Sequence, residues 1–153
     1  ISLESLTNSF DEVALSQAVE QLALADTLHI VGLRRAFPVA SYLAYIFEKM
    51  AVPAMLHDGV GKLDHRHALR KGDAVIAISF APYSEETIVL AADAKVRGLS
   101  VVAITDRLTS PLAREAAAVL TVPEVDFGAF RSLSATIALA ITLAVAVGAR
   151  REG

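Results

Sequence analysis

From Gly72 to Ser79 the chain reads Gly-Asp-Ala-Val-Ile-Ala-Ile-Ser, and Ala74 to Ile78 include no polar residue at all. A strand with one wet face alternates apolar and polar positions. A short continuous apolar run bounded by turn residues is instead buried on both faces, as in a parallel sheet covered by helices. The runs Thr27–Val31, Val52–Leu56, Ser100–Thr105 and Val119–Val122 read as further short strands.

Helical signals fall between them. Leu15–Ala25 spaces Val19, Leu22 and Ala23 at helical intervals. Pro38 fits the first turn of a helix to about Met50, with Val39, Leu43, Ile46 and Phe47 on one face. A shorter helix is expected near Lys62–Leu69. Ser84 opens a helix that runs to Arg97 and stops at Gly98. Ser110 should cap a short helix started by Pro111, and an apolar helix from Leu133 closes the domain. This alternation predicts an α/β fold: a three-layer αβα sandwich around a five-stranded parallel sheet, strand order 2-1-3-4-5.

The 153 residues are enough for one domain with a real core. A net charge of −3, with no basic block beyond Arg34–Arg35 and Arg150–Arg151, makes the domain by itself a poor nucleic-acid binder. The absence of cysteine excludes disulfides and thiolate metal sites. Nothing at the N-terminus resembles a signal peptide, so a cytoplasmic protein is expected. Leu133–Val147 is almost wholly apolar, but it is shorter than the roughly 20 residues a membrane span needs and contains Ser134, Thr136 and Thr142. A core helix, with a subunit interface on its outer side, accounts for it better. That helix and the Pro38–Met50 helix, flanked by Tyr42 and Tyr45, are the expected homodimer surfaces.

Ligands of open parallel sheets bind at the carboxyl ends of the strands. The loops Gly32–Phe37, Ser79–Ser84 and Thr105–Ser110 should meet there. The second carries Ser79, Tyr83 and Ser84 and runs into a helix whose first turn holds Glu85, Glu86 and Thr87. Hydroxyls beside free helix N–H groups suit a small phosphorylated or otherwise anionic polyol. Arg34 and Arg35 precede a helix N-terminus, where a cation is unfavourable, so an anionic partner for one of them is indicated. Each position also has a plainer reading: Ser79 and Ser84 as strand end and cap, Tyr83 as an exposed loop aromatic, Asp106 as a turn residue.

Val31-Gly32-Leu33-Arg34-Arg35, Gly72–Ser79, Ala94-Lys95 with Gly98, Ala103-Ile104-Thr105-Asp106 and Ser110-Pro111-Leu112-Ala113 together resemble the SIS (sugar isomerase) domain. The likeness runs from Leu15 to Gly148 and is greatest to the effector domain of RpiR-type (MurR/RpiR) bacterial transcription regulators. It implies phosphosugar binding by Arg34, Arg35, Ser79, Tyr83, Ser84 and Glu86, with no cofactor and no metal. It also implies a helix-turn-helix DNA-binding domain ahead of Ile1, DNA being contacted only through that domain.

The chain departs from the family's usual Ser-x-Ser-Gly-x-Thr/Ser-x-Glu loop. The second hydroxyl is replaced by Ala81 and the glycine by Pro82, and in the first loop Ala36 stands where Ser or Thr is usual. Two neutral phosphate ligands are therefore lost and cations gained nearby. Three readings follow: a sensor of a phosphosugar or related carbohydrate, an aldose–ketose phosphosugar isomerase, or a dimerisation domain with a degenerate pocket. Isomerisation needs a placed base. Glu86 holds the matching position, with His57 and His65 as outsiders. The cluster Asp64-His65-Arg66-His67 has no recognised metal spacing. Phe127, Phe130 and Arg131 could form a lid or dimer contact, and Ser132 or Ser134 could cap the last helix.

Overall fold

The computed structural model describes residues 12–60, 66–122, 125–127 and 130–152. Its main sheet is built from β1 (Leu28–Gly32), β2 (Ala54–His57), β3 (Ala74–Ile78), β4 (Ser100–Thr105) and β5 (Ala118–Thr121). All pairings are parallel and the order is β2-β1-β3-β4-β5, as the alternation predicts. Every residue of β1 and β3 is buried, whereas the edge strand β2 begins exposed at Ala54.

Successive side chains point to opposite faces, so each central strand supplies two cores. Leu28, Ile30, Ala74, Ile76, Ile78, Val102 and Ile104 pack under three helices: α1 (Glu12–Ala23), α2 (Phe37–Lys49) and α4 (Ser134–Glu152). Val75, Ala77, Val101 and Ala103 face α3 (Glu85–Val96), which presents Leu90, Ala91 and Ala94 to them. The result is the three-layer αβα sandwich. Small residues at the α3 contact let the helix lie close to the sheet.

By length and composition, α4 is the one helix among the described residues apolar enough to cross a membrane. Here it lies on α1 and α2 and buries Leu139, Ala140, Leu143, Ala144 and Val147 in the core. Ile141 and Val145 remain exposed on its outer side, as Tyr42 and Tyr45 do on α2.

Some expectations change. Between β2 and β3 the described residues contain a single 3-10 turn, Arg66–Ala68, rather than a helix over Lys62–Leu69; residues 61–65, His65 among them, lie outside the described part. After Ser110 there is a 3-10 turn, Ala113–Glu115, in place of a short helix. The Ser110 hydroxyl still accepts the Ala113 N–H at 3.2 Å. The short stretch from Pro111 to Ala117, which must also reach β5, leaves little room for more than one turn. An antiparallel ribbon, β6 (Val125–Phe127) with β7 (Phe130–Ser132), precedes α4 and has no counterpart in the sequence reading. The side chains of Phe127, Phe130, Arg131 and Ser132 are outside the described part. Ser134 is the first residue of α4 itself.

Candidate functional site

Three loops meet at the carboxyl edge, at the point where the strand order reverses between β1 and β3. The first leaves β1 at Gly32. A Cβ there would lie 3.1 Å from both the Ala36 carbonyl oxygen and the Ala40 Cβ, so the missing side chain lets α2 start directly against the strand. The chain then makes a 3-10 turn over Arg34–Ala36, with Arg34 at φ 58. That left-handed conformation costs a non-glycine residue roughly 1 kcal/mol. It leaves Arg34 exposed and turns Arg35 inward.

Arg35 reaches the second loop. Its Nη2 donates to the Ala81 carbonyl at 2.8 Å, and its guanidinium lies 5.0 Å from the centroid of the Phe80 ring. Phe80 is itself buried, so the cation is stacked on a fixed platform. Of the two arginines singled out in the sequence, Arg35 is the one joined to the phosphate-type loop.

Inside that loop Ser79 and Ser84 work as a pair. Ser79 N–H donates to the Ile104 carbonyl at 3.1 Å, anchoring the loop to β4. Ser79 Oγ accepts the Ser84 N–H at 3.0 Å, and Ser84 Oγ accepts the Thr87 N–H at 3.3 Å, capping α3. Both serines are buried. The Ala81–Pro82 peptide is cis. Thr87 Oγ1, one turn into α3, is fully buried without a hydrogen-bond partner. Glu86 is exposed in the first turn, with its neighbour Glu85.

From the third loop comes Asp106, the residue that closes the site. Its Oδ1 accepts the Tyr83 hydroxyl at 2.7 Å and its Oδ2 accepts the Ala81 N–H at 3.1 Å. Tyr83 is therefore tied down rather than presented as an open rim, and Asp106 bonds across loops rather than merely turning its own. Thr105 beside it donates to Ser110 Oγ at 3.0 Å, holding the far end of the same loop. Ala81 is thus gripped from both sides, its carbonyl by Arg35 and its N–H by Asp106.

The electrostatics follow from those bonds. Burial is the largest influence on Asp106 and pushes its pKa upward. Hydrogen bonds from Tyr83, Ala81 N–H and its own backbone, with the Arg107 charge, outweigh burial and hold the carboxyl below the ordinary aspartate value. Tyr83 moves upward, through burial first and then through its bond to Asp106 and the charge of that carboxylate; Arg107 opposes this.

A second polar cluster lies on the α3 side of the sheet. His57, at the end of β2, sits with its Nε2 2.9 Å from His29 Nδ1, and His29 Nε2 is 2.8 Å from Asp73 Oδ2. The sequence reading puts His57 near the ligand edge; its side chain instead joins this buried chain. His29 escapes a reading of the sequence, because a histidine within an apolar strand carries no motif. Among the described residues no group of three or more His, Cys, Asp or Glu could hold a metal ion.

A family model described as the SIS domain matches residues 21–146. The structure is similar to the sugar isomerase domain of an RpiR transcription factor from Sphaerobacter thermophilus. The TM-score is 0.88 and the identity 26%, over 98% of this chain and 85% of that one. It is also similar to the Vibrio vulnificus NanR protein, which was solved in complex with ManNAc-6P (TM-score 0.76, 23% identity). That match takes in 99% of this chain but 58% of NanR, so the chain spans little more than half of NanR's length. A protein of E. coli CFT073, solved in complex with a phosphosugar, shares the fold at TM-score 0.77 and 18% identity, over 98% of this chain and 85% of that one.

Proposed function

The chain belongs to the SIS domain family, and on that footing we propose that it is the effector-binding and dimerisation domain of an RpiR-type transcription regulator. Its ligand is a phosphosugar or related anionic carbohydrate, taken at the edge formed by the three loops. The observation that carries this reading is the position of Arg35. It brings a guanidinium from the first loop onto Ala81 in the second, supplying the cation that the lost hydroxyls at Ala36 and Ala81 make necessary. Arg34, Ser79, Tyr83, Ser84 and Glu86 complete the proposed ligand set. Sensing requires only that two arrangements of the protein differ in ligand affinity. DNA would be met through a helix-turn-helix domain preceding this one, in a cytoplasmic regulator that pairs through α2 and α4.

Isomerisation is the second reading, favoured by the likeness to the phosphosugar-bound E. coli protein. It asks for a base aimed at the sugar, and Glu86, the candidate by position, is exposed on the first turn of α3. Thermal-shift and calorimetric titration with a panel of ManNAc-6P and the common pentose and hexose phosphates tests the sensor reading. A ligand at 100 times its Kd adds about 2.7 kcal/mol of stability. A panel without any stabilising sugar phosphate would leave dimerisation alone as the role of the domain.

A further inference from the structure

The backbone donors of the 79–84 loop have acceptors within the chain: Ser79 N–H on Ile104, Ala81 N–H on Asp106 and Ser84 N–H on Ser79. Pro82 has no N–H to give. Among these acceptors, Asp106 alone is an anion. It takes a loop amide with one oxygen and the Tyr83 phenol with the other. That is the bonding a ligand carboxylate or phosphate oxygen would make with the same loop. The groups around it are accounted for: Tyr83 and Ala81 from the β3–α3 loop, Arg35 on the opposite side of Ala81, and Thr105 and Arg107 on either side in the chain.

We propose that Asp106 is a specificity-determining residue, a built-in anion that occupies loop donors which an anionic ligand must win from it. The inference rests on the reading of this edge as an anionic-carbohydrate site. Two phosphate-type charges cannot share one amide and one phenol, because like charges at hydrogen-bonding distance repel. Binding of a phosphate at Ala81 therefore displaces the Asp106 carboxylate, and with it the Thr105–Ser110 turn. Ligands whose charge does not repay that exchange are excluded.

Sulfate is a suitable probe because it keeps its charge across the carboxylate titration range. Amide NMR of this chain, following Ala81 and Ser84, should give apparent sulfate affinity about tenfold tighter in Asp106→Asn than in the parent protein, the worth of the charged bond removed. Equal or weaker binding in the variant overturns the proposal. If the variant does not fold, the parent protein supplies the readout. Acidification through the Asp106 titration should tighten sulfate binding at Ala81 relative to remote amides, and an unchanged ratio overturns it. A sugar-phosphate panel run in parallel separates the two ideas. Tighter sulfate binding by Asp106→Asn, with no sugar phosphate bound by either protein, keeps the role of Asp106 and removes the phosphosugar reading. A sugar phosphate bound by the parent and more weakly by Asp106→Asn keeps that reading and defeats this one.

Discussion

His29 and Asp73 form a buried pair, Nε2 to Oδ2 at 2.8 Å, on a sheet face otherwise filled by Val31, Val75, Ala77, Val101 and Ala103. With Asp73 accepting from Nε2–H, neutral His29 has Nδ1 left to accept, so His57 Nε2 must be the donor of the next bond. The Arg70 N–H adds to Asp73 Oδ2 at 3.1 Å. His57 begins the β2–β3 connection and Asp73 ends it, so the chain of bonds ties the two ends of that connection through the middle strand. Asp73→Ala strands a buried donor and should cost about 1–3 kcal/mol in urea unfolding. In a double-mutant cycle with His29→Ala the two changes should be strongly non-additive. Additive losses would mean the pair contributes nothing as a pair.

The Asp106 clamp makes stability depend on pH in a definite direction. Its carboxyl is held below the ordinary aspartate value, so the folded state binds this proton less readily than the unfolded chain. The stabilisation is complete above the ordinary aspartate value of about 3.9 and is lost as pH falls through the lower folded value. The melting temperature of the parent protein should exceed that of Asp106→Asn at neutral pH, and the difference should shrink below about pH 4. A constant difference from neutral pH into that acid range would contradict this.

The two arginines should respond oppositely to substitution. Arg34 holds a left-handed backbone conformation, so Arg34→Gly should leave stability unchanged or raise it by up to about 1 kcal/mol. Arg35→Ala loses the bond to Ala81 and the stacking on Phe80 and should cost about 1–2 kcal/mol. On the proposed function, Arg35→Ala also weakens sugar-phosphate binding more than Arg34→Ala does. Isothermal calorimetry on both variants checks the order.

Tyr42 and Tyr45 stack on the outer face of α2 with centroids 6.1 Å apart, and Lys49 Nζ lies 5.5 Å from the Tyr45 ring centroid. Exposed aromatics on α2, together with the exposed Ile141 and Val145 of α4, suit a symmetric contact between copies. Sedimentation equilibrium at micromolar concentration should give a dimer or larger, and Tyr45→Asp should shift it toward monomer. A monomer of 16.2 kDa in the parent protein would count against the proposal.

No turnover of common pentose or hexose phosphates is expected, since Glu86 stands exposed and takes no part in the bonding that organises the loop. A coupled isomerase assay measures this directly. Turnover abolished by Glu86→Gln would place the protein among the isomerases.

Continuous apolar runs such as Ala74–Ile78 settled the parallel sheet from sequence alone, because burial on both faces leaves no other arrangement for them. Gly98 and Ser84 marked the ends of α3 for equally local reasons of backbone conformation and capping. The order and spacing of the three loops likewise identified the edge at which they meet. Sequence did not reveal which groups bond across that edge. Arg35 and Ala81 are 46 residues apart, Ala81 and Asp106 25, and His29 and Asp73 44. Periodicity and capping report on neighbours within a turn or two of the chain. A hydrogen bond between loops depends on strand order and register, so only the folded sheet decided that Arg35 faces inward, that Tyr83 is held down, and that a carboxylate of the chain occupies the loop donors.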